Sequence, residues 1–335
     1  MTRRPTRWAP RWALIALLLL LTALSACRRD EAAPEAVTAP DDPVAAVQAQ
    51  ASALRQNDLG RFARLSLPPD LYQRSAELWD RRVAEGEPVD PEDAAEYEQL
   101  MSRLLAEDAE EALMRDLEPK LAQLDVELAG QWPLMQATAG IFLAAAIQAN
   151  EELSPEQKAH ASELVTALLA WLEPKLITDR ARARQAIGAA VRTARALELP
   201  TLEASRALGH EQALAKGSLL LAGAKDITRA YGLDLDEALD GMHAELVSRQ
   251  EDQATVRIRY PLLGKQLSFE RAMVRRDGGW YAAEDIAHAE AELAQAGHES
   301  GNDADAAGTG LAAAGPDQEA GAEEAGTGAD AASAD

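Results

Sequence analysis

The chain has 335 residues, and 33 Lys+Arg against 56 Asp+Glu give it a formal net charge of −23. That length accommodates one or two domains with a sizeable core, and the charge excludes a free nucleic-acid partner, because phosphate binding needs a basic surface that displaces counterions. A single cysteine excludes an internal disulfide framework and a Cys-rich zinc site, while aromatics at 4 % leave little for base or sugar stacking.

The first element is a targeting segment, residues 1–26, and it leaves the fold argument. Arg3, Arg4, Arg7 and Arg11 flank an uncharged run from Trp12 to Ala23, too short for a hydrocarbon layer of about 30 Å. Small residues Ser25 and Ala26 then lead to Cys27, the only cysteine. Leu24-Ser25-Ala26-Cys27 closely resembles the lipobox of bacterial lipoprotein signals. The resemblance implies cleavage between Ala26 and Cys27, a diacylglyceryl thioether on Cys27 and acylation of the new N-terminus, with a membrane as partner. Two or more acyl chains anchor stably where one is marginal. Arg28 stands where an aspartate would imply retention in the inner membrane, so the same resemblance implies the periplasmic face of the outer membrane. Residues 27–41, with Pro34 and Pro40, are expected to be a flexible tether reaching roughly 20 Å.

From 42 to 250 the chain is rich in Ala, Leu, Glu, Arg and Gln and is expected to be an α-helical body. Asp42-Pro43, Asp90-Pro91 and Ser154-Pro155 each place a cap residue before a proline suited to the first helical position, and Ser154 with Gln157 has the capping-box spacing. Helices are expected near 43–58, 70–85, 91–130, 133–150, 155–175, 178–198, 202–230 and 234–250, with a break in 91–130 around Glu118-Pro119. The stretch 131–150 carries no charge; Gln131, Gln136, Thr138, Gly140 and Gln148 interrupt its hydrophobicity, which predicts a buried central helix rather than a membrane span. Residues 91–106 match 155–170 at 7 of 16 positions, and Leu-Glu-Pro-Lys-Leu follows both, at 117–121 and 172–176. Two copies of a helical unit are the reading; a solenoid would need three.

At Gln253 the period changes. Val256, Ile258 and Tyr260 alternate with Arg257 and Arg259, Pro261 to Lys265 is expected to turn, and Leu267, Phe269 and Met273 continue on a second strand with Val274 out of phase at a bulge. Asp277-Gly278-Gly279 is a hairpin signal leading to Trp280-Tyr281. Residues 251–296 are therefore expected to form a small three-stranded antiparallel meander plus a short helix, and the fold class is mainly α, α+β overall. The ending in Asp-Gly-Gly-Trp-Tyr is similar to the closing strands of NTF2-like domains over about 50 residues, which implies a ligand pocket around Tyr260, Phe269 and Trp280. Residues 297–335 hold nine acids and no base and are expected to be disordered.

No metal motif involves His160, His210, His243, His288 or His298, and there is no G-x-S-x-G elbow or phosphate loop. Glu284, Asp285, His288 and Glu290, and the Asp234-Asp236-Asp240 group, are weighed as cation ligands; solvated surface acids and helix caps are the favoured reading. Two basic islands stand out: Arg180, Arg184, Arg192 and Arg195 within about 120° of one helix, and Arg257, Arg259, Lys265, Arg271, Arg275 and Arg276 on the strands. Either would suit an anion or an envelope-protein partner, but pairing with the chain's own acids is favoured. The expectation is a lipid-anchored envelope protein without catalytic residue, cofactor or metal, acting in binding or as a scaffold. A small-ligand-binding module is the alternative, and an envelope hydrolase the third reading.

Overall fold

The computed structural model describes residues 37–308, apart from Glu87 and Glu152. The expected signal segment, the lipidation site Cys27 and most of the tether and tail lie outside the described residues. The chain divides after Glu290 into a compact unit and a second one formed by Ala291 onward. Twelve helices are described: α1 Pro43–Arg55, α2 Leu59–Ser66, α3 Pro69–Ala84, α4 Pro91–Leu105, α5 Ala109–Ala149, α6 Pro155–Trp171, α7 Pro174–Ile177, α8 Arg180–Leu197, α9 Leu202–Arg206, α10 His210–Ala230, α11 Leu235–Asp240 and α12 Ala283–Gly308. Among the described residues one antiparallel sheet, in the order β1-β2-β3-β4, comprises β1 His243–Gln250, β2 Gln253–Leu262, β3 Lys265–Arg276 and β4 Gly279–Ala282. The fold is mainly α plus β, with four strands where three were expected.

The capping signals work as local chemistry predicts. Asp42, Asp90 and Ser154 each accept from the backbone N–H two or three residues on, with proline in the first turn. Ser154 and Gln157 close a reciprocal capping box. Each hairpin turns on two residues, and Leu263-Gly264 and Asp277-Gly278 both have positive φ throughout, as a turn matched to strand twist requires.

Several boundaries differ from expectation, each for a physical reason. The helix expected at 234–250 is short, ending at Asp240; His243–Gln250 is the edge strand β1. Pairing with β2 overrides its helical composition, and a register shift between Leu246 and Ser248 hides its period. That is where the bulge lies: β2 and β3 pair in continuous register through Val274. The break expected at Pro119 falls at 106–108, and α5 runs through both Pro119 and Pro133. Arg195 donates to the Ala106 carbonyl at 2.8 Å and thereby caps the end of α4. The tether is shorter than expected, since Ala39 is buried and Trp280 donates its backbone N–H to the Pro40 carbonyl. At the other end, α12 continues to Gly308 instead of stopping near 296.

Apolar clusters order the compact unit. Ala46 and Val47 of α1 pack on the inner sheet face against Val256, Ile258, Met273 and Trp280. Leu233 and Ala238 meet Leu262 and Leu267 at the other end of the sheet, with Leu164 and Leu168 of α6 beside them. Met114 and Leu121 of α5 pack on Ala183 of α8. Helices α8 and α10 come so close that a Cβ at Gly223 would collide with the Thr193 side chain.

Candidate ligand-binding cavity

Between the inner sheet face and the helices lies a cavity of about 470 Å³. Helix α1 presents Val47, Gln50, Ala51 and Leu54 to it, residues three and four apart and hence on one face. Alternation puts Ile258, Tyr260 and Leu262 of β2, and Phe269 and Arg271 of β3, on the facing wall. Leu221 and Lys225, one turn apart on α10, line it together with Leu164, Leu235 and Leu239. A volume of 470 Å³ lies within the usual range for small-molecule sites, and so does the pattern of an apolar wall with few polar groups.

The polar groups are held by ion pairs and backbone ends. Lys225 is 2 % exposed. Its Nζ lies 2.7 Å from Asp236 Oδ1 and donates to the carbonyls of Leu54, at 2.6 Å, and Arg55, at 3.4 Å. One ammonium thus caps the C-terminus of α1 and joins α10 to α11. Asp236 also meets Arg229 at 2.8 Å, and Arg229 holds the N-cap Asp234 below the ordinary carboxylate range. On the opposite wall Arg271 Nη2 donates to both oxygens of Asp285, at 2.8 and 2.9 Å, and Arg271 Nη1 donates to Gln50 Oε1 at 3.3 Å. Buried Gln50 passes the chain on to the Leu65 carbonyl. Burial pushes the Asp285 carboxyl up, and the Arg271 guanidinium opposes that shift. Each cation on the wall therefore faces a carboxylate.

Beside the rim, the Tyr260 hydroxyl and His160 Nε2 are 3.2 Å apart, and the His160 ring centre is 4.9 Å from that of Phe269. Burial raises the Tyr260 phenol, with Glu163 adding to the effect. His160 Nδ1 is buried without a hydrogen-bond partner among the described residues.

Of the three aromatics expected to form a pocket, Tyr260 and Phe269 line this one. Trp280 does not: it is fully buried in the core beside α1, and its indole donates to the Asp41 carbonyl at 3.0 Å. Gln50, Lys225 and Arg271 were not singled out as pocket residues. A buried lysine has no local signature, but the one-face spacing of Val47, Gln50, Ala51 and Leu54 was readable.

The basic islands disperse. Arg180 pairs with Glu118, Arg192 with Asp226, and Arg195 caps α4; Arg184 is exposed. On the sheet, the outward-facing Arg257 and Arg259 share Glu245, which they draw below its ordinary range, and Arg257 also binds Glu270. Of the strand cations, Arg271 lines the cavity. Asp234 caps α11, Asp240 binds Arg55, Glu284 and Asp285 face Arg271, and Glu290 faces Arg276. Among the described residues no group of three His, Cys, Asp or Glu side chains is placed to hold a metal ion, and no described helix is long and apolar enough to cross a membrane. Neither a protein family, nor a curated protein, nor a solved structure matches this chain.

Proposed function

We propose that the protein is a non-catalytic binding module for a small, largely apolar molecule, tethered to the envelope membrane through acylated Cys27. The observation that carries the binding role is the cavity itself, walled by aliphatic and aromatic side chains and braced by internally neutralised ion pairs. An ionic ligand would have to displace Asp236 or Asp285 from its partner. An uncharged molecule needs to displace nothing, and the Tyr260 hydroxyl and the Gln50–Arg271 pair offer dipoles that orient it. The tether rests on the lipobox residues Leu24 to Cys27 and on their resemblance to lipoprotein signals.

The test is titration of the purified chain with a neutral naphthylamine dye. Saturable one-to-one binding in the micromolar range is expected, as is at least a tenfold loss in Ala51→Phe, which fills the cavity from α1. Equal binding by Ala51→Phe and the native chain would defeat the reading. The tether is tested separately, by fractionating cells that express Cys27→Ala; sedimentation of that variant with membranes would refute it.

A further inference from the structure

The second half of α5 contradicts the expectation of a buried central helix. Residues 128–150 contain no charged side chain, yet Leu134 is 73 % exposed and Ile141 and Phe142 are each 71 % exposed. Among the described residues α6 covers one side of this half, where Gln136 donates to the Leu169 carbonyl. On the open side Gln131, Leu134, Thr138, Ile141, Ala145 and Gln148 follow one another at intervals of three and four, the spacing of a coiled-coil seam.

We propose that this seam pairs with the same seam of a second copy, antiparallel about a two-fold axis between Thr138 and Ile141. The residue order is self-complementary in that orientation. Leu134 falls opposite Ala145, large against small; Thr138 falls opposite Ile141; and Gln131 falls opposite Gln148, amide to amide, at both ends. An isologous contact requires that kind of match. Charge selects the same occupant. Two copies of a chain at −23 repel over most of their surface, and 128–150 is a stretch where no like charges meet. A membrane surface fits less well, because interfacial helices carry Lys and Arg beside the apolar face and this stretch has neither. The seam, about 30 Å long, buries on the order of 1,000 Å² in total, at the small end of specific interfaces. The dimer is therefore expected to form in the micromolar range and to be favoured when copies share a membrane.

The test uses the purified full chain carrying Cys27→Ser, so that an introduced cysteine is the only thiol. With a short bismaleimide, Thr138→Cys, beside the axis, is expected to give a covalent dimer. Gln131→Cys is expected to stay at baseline, because antiparallel copies hold that position about 25 Å apart. Adding Ile141→Glu to Thr138→Cys is expected to cut the cross-linked fraction at least tenfold, with an unchanged circular dichroism spectrum. Gln148→Glu, a milder change that sets a carboxylate in place of the amide opposite the partner copy's Gln131, serves if that spectrum does change, and should weaken the dimer as well. Baseline cross-linking at Thr138→Cys overturns the proposal, as does equal cross-linking at both positions. So does a chain that stays monomeric by sedimentation but binds neutral phosphatidylcholine vesicles through Ile141.

Discussion

Two open apolar surfaces among the described residues are built in opposite ways. The cavity is concave and lies where α1, α6, α10, α11 and the sheet converge; buried ions brace it, Lys225 with Asp236 and Arg271 with Asp285. The far half of α5 is convex, belongs to one helix and has no ions. Elements that converge on a cavity bring helix ends with them, and the carbonyls of Leu54 and Leu65 must find donors. The far half of α5 has no such ionic bracing, because residues 128–150 carry no charge. The concave surface suits a small molecule, and the convex one suits another helix.

The comparison breaks most sharply at Lys225. Replacing it with Met keeps the apolar bulk but leaves Asp236 short of a partner and the end of α1 uncapped. Removing one member of a buried pair costs about 3–5 kcal/mol, and urea unfolding of Lys225→Met is expected to show a loss of that order. The near half of α5 gives the next largest effect. Met114, Leu121 and Leu128, seven residues apart, are all buried, although eight charged side chains lie between Ala109 and Leu128. Leu121→Ala should cost roughly 3 kcal/mol through transfer and cavity terms, measured in the same way.

The paired and buried carboxylates of the compact unit predict opposite responses to pH. Asp234 and Glu245 are held low by their arginines, so their contribution is present at neutral pH and is lost as pH falls through their folded-state values. Asp285 is pushed up by burial, so ionising it opposes folding. Its penalty is absent in acid and sets in as pH rises from the ordinary aspartate range to its folded-state value. The stability of the native chain relative to Asp285→Asn should therefore decline over that rise. A flat or rising difference across denaturation curves at several pH values would contradict the burial of Asp285.

How much of this could be read beforehand depends on whether the signal was local. The caps at Asp42, Asp90 and Ser154 and the Asp277-Gly278 turn act within three residues and were legible, as was the alternation that points Tyr260 and Phe269 one way. Leu-Glu-Pro-Lys-Leu shows the limit. At 117–121 it lies inside α5, with Leu121 packed on α8; at 172–176 Glu173 is extended and Pro174 starts a new helix. The same five residues take both forms, and the neighbouring helix decides between them. Lys225 was illegible for the same reason, since nothing in Ala224-Lys225-Asp226 marks it as buried.

The smallest expected effect separates the two halves of α5. Met135 and Phe142 continue the sevenfold spacing of Met114, Leu121 and Leu128, but are 46 % and 71 % exposed because no described neighbour covers them. An exposed side chain gains little on folding, so Phe142→Ala should change the stability of the dilute monomer by less than about 0.5 kcal/mol, against several for Leu121→Ala. Loss of stability at high protein concentration alone would sharpen the contrast, because a contact made only between copies stabilises by mass action. A large loss under dilute conditions would mean that Phe142 is covered within its own chain, and the difference between the two halves of α5 would disappear.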